Sequence, residues 1–197
     1  EKSFLNFSVS LTKRQKLLDE LSSILKWNYL PDPVSNYGDL EHFIYFRRKL
    51  INYSYNSVVS KNKNSSLFDL SYSEGAFITK EDLKSTFLQI KTPYQMPVFV
   101  LDKENLMSSL YGLSGLHDID FKKHPDFSKR FFLSGEDKKA IRSFFTNDLI
   151  FFFESHPLYY IESKGDSILI RGKERLASIQ EIKHMLAFTE ELLKLLN

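Results

Sequence analysis

The segment HDIDFKKHPD gathers His117, Asp118, Asp120, His124 and Asp126 within ten residues. Imidazoles and carboxylates this close in sequence could bind a zinc-like ion, or could supply a general acid and a general base to a hydrolase. The alternation of Asp118 and Asp120 with Ile119 and Phe121 is equally that of a half-exposed strand. In a strand, Asp118 and Asp120 converge while His117 points to the opposite face. The binding candidates are therefore His117, Asp118, Asp120 and His124, with no metal assigned and the structural reading favoured.

A second cluster, HFIYFRRKL, sets Phe43, Tyr45 and Phe46 beside Arg47, Arg48 and Lys49. Aromatics interleaved with cations can stack on bases and hold phosphates. The chain carries 27 Lys+Arg against 25 Asp+Glu, a formal net charge of +2, which is too small an excess for a nucleic-acid footprint. The aromatics are read as core, the cations as a solvated strand end or turn, and no nucleic-acid partner is expected.

Other chemistries lose their usual support. There is no cysteine, which removes thiolate metal sites, cysteine nucleophiles and disulfides. Neither a nucleophile elbow, a Walker loop, a dinucleotide fingerprint nor an HExxH helix occurs. No motif requires a cofactor. His42, His156 and His184 are isolated, and His156, just before Pro157, suits a helix C-terminus where a cation meets bare carbonyls.

The elements that would position these residues read as α+β, an antiparallel meander with helices packed on it and amphipathic helices at both termini. In TKRQKLLDELSSILKW, Leu17, Leu18, Leu21, Ile24 and Leu25 share a stripe, and Thr12 and Gln15 have capping-box spacing. Residues 50–60 alternate with period two. Leu67 to Tyr72 returns as the next strand, and the runs Thr86–Lys91 and Val98–Leu101 follow, separated by TPYQMP. Asp102 is a candidate N-cap for a helix over KENLMSSLYGL. Phe127 to Ser134 reads as a strand handing over through a Ser134 cap to a helix over GEDKKAIRSFF, and LYYIESKGDSILIR as a hairpin turning at Gly165. Ser178 and Glu181 open a last amphipathic helix.

Phe144, Phe145, Phe151, Phe152 and Phe153 fall in two short helices broken by Thr146, Asn147 and Asp148. Burying a phenylalanine is worth about 1.5 to 3 kcal/mol, so these rings are assigned to the core. Ile150 and Phe151 fall off the main stripe, and whether either reaches the surface is left open by the pattern. The 197 residues suffice for one domain, with a first lobe over 1–97 and a second over 98–197. No stretch approaches the roughly 18 to 20 apolar residues of a spanning helix.

The strings DIDF, PDFSKRFFLSGEDKKAIRSFF, YYIES and GDSILI, with the strand entry Lys26-Trp27-Asn28-Tyr29, resemble a bacterial family of unknown function. The resemblance is fullest over 98–196. It implies a soluble domain behind an N-terminal membrane segment and brings no catalytic residues with it. A start at Glu1 rather than methionine fits a removed upstream anchor. The expected function is a non-catalytic interaction or scaffolding domain, with a protein partner or a membrane-tethered assembly. A cytoplasmic location holds if there is no anchor. Two alternatives stay open: a metal-dependent hydrolase using the His117–Asp126 cluster, and a small-molecule or lipid-binding module in which sheet and phenylalanine-rich helices enclose a cavity.

Overall fold

The computed structural model describes residues 11–35, 39–74, 81–103 and 117–196. Its elements in chain order are α1 (Lys13–Leu25), β1 (Asn28–Leu30), two 3-10 turns (Leu40–His42 and Ile44–Phe46), β2 (Lys49–Val59), β3 (Ser65–Glu74), β4 (Glu81–Lys103), α2 (Pro125–Arg130), β5 (Phe131–Ser134), α3 (Lys138–Phe144), α4 (Asn147–Ser155), β6 (Tyr160–Arg171) and α5 (Ile179–Leu196). The fold is α+β, with one antiparallel sheet, as its alternating and helical patterns predict. The helix expected over KENLMSSLYGL lies outside the described residues.

The long strand β4 organises the sheet. Leu88 pairs with Leu67 of β3 on one side and Ile170 of β6 on the other, and Leu101 likewise pairs with Leu133 of β5 and Ile161 of β6. Strands β3 and β5 therefore share one edge of β4, and β6 runs along the other. The order continues outward from β3 through β2 to β1, all antiparallel.

Two corrections to the sequence reading concern this ribbon. The segment TPYQMP is not a loop between two strands: β4 runs through it, and its ladder with β6 shifts register between Lys91 and Met96 and again between Met96 and Phe99. Pro93 and Pro97 cannot donate to a ladder, and such irregularities are where a strand tolerates them. Nor does Gly165 turn a hairpin. It sits at φ 64 inside continuous β6, opposite Met96, because both halves of the strand find their partner on β4. A left-handed residue with no Cβ penalty here makes a bulge.

The bulge curls the ribbon until its ends meet. Tyr160 and Arg171 close opposite ends of β6, about 36 Å apart in a straight strand at ~3.3 Å per residue. Yet the Arg171 guanidinium lies 5.5 Å from the Tyr160 ring centroid. Two apolar cores result, one on each face. The larger unites the five helices with Leu67, Leu88, Phe99, Leu101, Ile161, Ile168 and Ile170 of the sheet. The smaller, inside the curl, is plugged by Phe43, Ile44, Tyr45 and Phe46, against Tyr72, Phe87, Tyr160 and Leu169. That plug is tied in through Glu162, whose carboxylate accepts the amides of Ile44 and Tyr45 and the hydroxyl of Tyr160. Burial pushes the Glu162 carboxyl up, against those three donors.

The phenylalanines build the helix-side core as expected. Phe127 stacks on Phe131 at 4.9 Å and Phe145 on Phe153 at 5.8 Å between ring centroids. Ile150 is buried, and Phe151 is the ring that emerges, at 56 % exposure. The expected strand over Phe127–Ser134 is instead helix α2 followed by strand β5. Spacing of four, from Phe127 to Phe131, fits a period of 3.6 as well as a period of two, and Pro125 at the first helical positions presets the backbone for a helix. Ser134 is not the next cap. Its hydroxyl donates to the His117 carbonyl, and Asp137 caps α3 by accepting the Ala140 amide at 2.9 Å.

At the other end of the chain, α1 is held down by Arg14. Its guanidinium donates to both carboxylate oxygens of buried Asp69 at 2.6 Å, to Thr86 Oγ1 at 2.9 Å and to the Ala177 carbonyl at 2.7 Å. One side chain thus joins α1, the sheet and the entry to α5.

Candidate functional site

The His117–Asp126 segment is irregular from 117 to 121, not a strand. Short aspartate side chains compete for backbone amides, and Asp118 does so here. Its Oδ1 accepts from the Ile119 amide at 2.8 Å and the Leu133 amide at 2.9 Å, which laces the segment to β5. Burial raises the Asp118 carboxyl above its ordinary range, and these two amides oppose the shift. Arg142 donates to the Asp120 carbonyl at 2.6 Å and lies over the Phe121 ring. His124 is buried, with Nε2 2.9 Å from Asn147 Oδ1 and its ring edge against Phe151.

Asp118, Asp120 and His124 do come together, on the wall of an open cleft with Lys122, Lys123, Arg142 and Asn147. Exposed His117 is not part of that wall. Among the described residues no three His, Asp or Glu side chains stand close enough to hold a metal ion. The imidazole of His124 faces an amide oxygen rather than a carboxylate. As arranged, the segment is a clasp between α2, β5, α3 and α4.

A second groove of about 620 Å³ opens between the meeting ends of the β4–β6 ribbon and the start of α5. Sequence spacing alone does not assemble it, because its lining comes from 102–103, 157–160 and 171–185, three separated stretches. Its lining is mixed: apolar at Pro157, Leu158, Tyr159 and Met185, and charged at Asp102, Lys103, Arg171, Lys173, Glu174, Arg175 and Glu181. The run RGKER after the apolar strand SILI was the available signal, since a charge cluster directly after a buried strand marks where the chain leaves the core.

The charged lining continues inward to the plug of the curled sheet. Tyr45 donates its hydroxyl to Glu174 Oε1 at 2.8 Å and lies 2.9 Å from the Tyr72 hydroxyl, which in turn is 3.1 Å from Ser85 Oγ. Lys49, only 3 % exposed at its side chain, stands 3.6 Å from the Tyr45 centroid, 3.8 Å from Glu74 and 3.9 Å from Glu174. Burial lowers the Lys49 ammonium and the two glutamates raise it. Tyr45 is held far above the ordinary phenol range by burial, so it stays a neutral donor. In HFIYFRRKL, Phe43 to Phe46 are core and Arg47 and Arg48 are solvated, as expected, but Lys49, expected to be solvated with them, is buried between Tyr45 and two glutamates.

Asp102 is buried and lines the groove. Its carboxyl is raised by burial and drawn down by the Lys103 amide, Arg171 and Lys49. Arg171 donates to the Gly172 carbonyl at 3.0 Å, approaches Glu174 at 3.7 Å and covers both Tyr45 and Tyr160. At the rim Arg175 pairs with Glu181 at 2.6 Å. Tyr159 packs its ring against Phe188 at 4.7 Å, fixing that part of the lining to α5. The constellation offers donors and acceptors of both signs beside apolar side chains.

No helix among the described residues is long and apolar enough to cross a membrane. No protein-family model matches the chain, and no curated protein matches it. Among solved structures, the crystal structure of the mycobacterial trehalose monomycolate transport factor A, TtfA, aligns with a TM-score of 0.58, covering 93 % of this chain and 96 % of that one at 10 % identity. At that identity the likeness is one of fold.

Proposed function

We propose that the chain is a non-catalytic interaction domain whose groove between β6 and α5 holds an amphiphilic molecule, and that it works within a membrane-tethered assembly. The observation that carries this reading is that one groove is lined both by apolar Leu158, Tyr159 and Met185 and by charged residues of both signs, Asp102, Arg171 and Glu174 among them. A volume of about 620 Å³ lies within the ordinary range of small-molecule sites. Apolar walls supply burial and a few placed polar groups supply orientation, which suits a ligand with a chain and a headgroup. The fold shared with a transport factor supports a carrier or adaptor role over catalysis. The His117–Asp126 clasp, where Asp118 is engaged by two backbone amides and His124 by Asn147, gives a hydrolase no comparable footing.

Native mass spectrometry tests the reading, with decyl maltoside and lysophosphatidylcholine as probes below their micelle concentrations. One bound molecule per chain is expected, lost in Leu158→Glu, a substitution at a position 37 % exposed and so compatible with folding. Absence of any adduct, or an adduct that Leu158→Glu leaves intact, contradicts it.

A further inference from the structure

We infer that the polar lining of the β6–α5 groove selects a neutral, hydroxyl-rich headgroup, a sugar or similar polyol, through Asp102 and Arg171 side by side. This rests on the preceding reading that the groove takes an amphiphile.

Asp102 is only 6 % exposed yet lines the groove. Among the described residues its carboxylate has one hydrogen-bond donor, the following Lys103 amide at 2.7 Å, although an ionised carboxylate can accept about four. A buried carboxylate with spare acceptor capacity gains from any donor brought to it. Arg171, which also lines the groove, can only donate, and its charge acts directly on Asp102. A hydroxyl group satisfies both neighbours because it donates and accepts.

Charged headgroups fare worse for opposite reasons. An anion entering toward Arg171 meets Asp102 and Glu174, and a cation entering toward Asp102 meets Arg171, with Lys103, Lys173, Arg175 and Glu181 also on the lining. Each replaces a hydrogen bond with a like-charge contact in a partly dry site, where screening is weak. The lining also presents Tyr159, a flat amphipathic ring of the kind that covers the apolar face of a sugar.

The test is isothermal titration of the full chain with three ligands sharing one chain length: decyl maltoside, decanoate and decyltrimethylammonium. Free maltose is a fourth arm. Decyl maltoside is expected to bind about ten-fold or more tighter than either charged ligand, the effect of roughly one charge-assisted hydrogen bond. In Asp102→Asn, with its folding checked by thermal melting, the preference over decanoate should shrink as decanoate binding improves. Equal affinity for all three amphiphiles in the unmodified chain overturns the headgroup inference and leaves the amphiphile reading standing. Failure of every ligand to bind overturns both. Free maltose binding as tightly as decyl maltoside supports the headgroup inference and removes the role of the apolar chain.

Discussion

Glu181 and Arg175 meet on the rim of the groove, where Arg175 donates through both terminal nitrogens at 2.6 and 3.0 Å, and Glu181 also accepts the Ser178 amide at 2.8 Å. The Ser178 hydroxyl returns the favour to the Glu181 amide at 3.2 Å, which completes the capping box read from the sequence. The Arg175 guanidinium first, and then the Ser178 amide, hold the Glu181 carboxyl down at about 2. Because this lies below the value in an unfolded chain, the capping stabilisation is full above about pH 4.5 and is lost as pH falls toward 2. A carboxyl carbon NMR titration should place the Glu181 midpoint near 2, and a midpoint near 4.5 would refute the paired rim. Local pairs of this kind are legible because their partners lie three to six residues apart. The same holds for Thr12 with Gln15 and for His156, which caps α4 through Nδ1 on the Phe152 carbonyl at 2.7 Å. The approach of Asp102 on β4 to Arg171 on β6 joins two strands and could not be read that way.

Among the elements, the β4–β6 ribbon decides where everything else goes. Alternating and apolar stretches located the halves of both strands, but the periodicity of a strand is silent about whether a central glycine reverses the chain or bulges it. Gly165 at φ 64 bulges it, since an unbroken partner strand stands opposite. Replacing Gly165 by alanine should cost about 1 kcal/mol, and valine more, because a left-handed backbone crowds Cβ against the following carbonyl. Asparagine should be tolerated better than either. Urea denaturation midpoints rank the three, and a valine variant as stable as the parent would show that the bend does not depend on this residue. The aspartates of the HDIDF segment failed as a strand for a related reason. Alternation placed them correctly relative to the core, as buried Ile119 attests, while Asp118 took the amides a ladder would have used.

For the molecule as a whole, the sheet has a helix-covered face and a curled face plugged by Phe43 to Phe46, and the groove opens where the curl closes. Composition and pattern were enough for the α+β class and for the phenylalanine core, since both follow from local periodicity and burial energy. The groove was not legible, because it exists only once residues near 102, 158 and 171 are brought together by the bend in one ribbon. An amide NMR titration of the isotope-labelled chain with decyl maltoside tests this placement most directly. Shifts should concentrate at 102–103, 158–160 and 171–185, with little change around 118–147. Shifts confined to the cleft beside Asp118 and His124, or spread without focus over the surface, would contradict the assignment of the binding site to the mouth of the curled sheet.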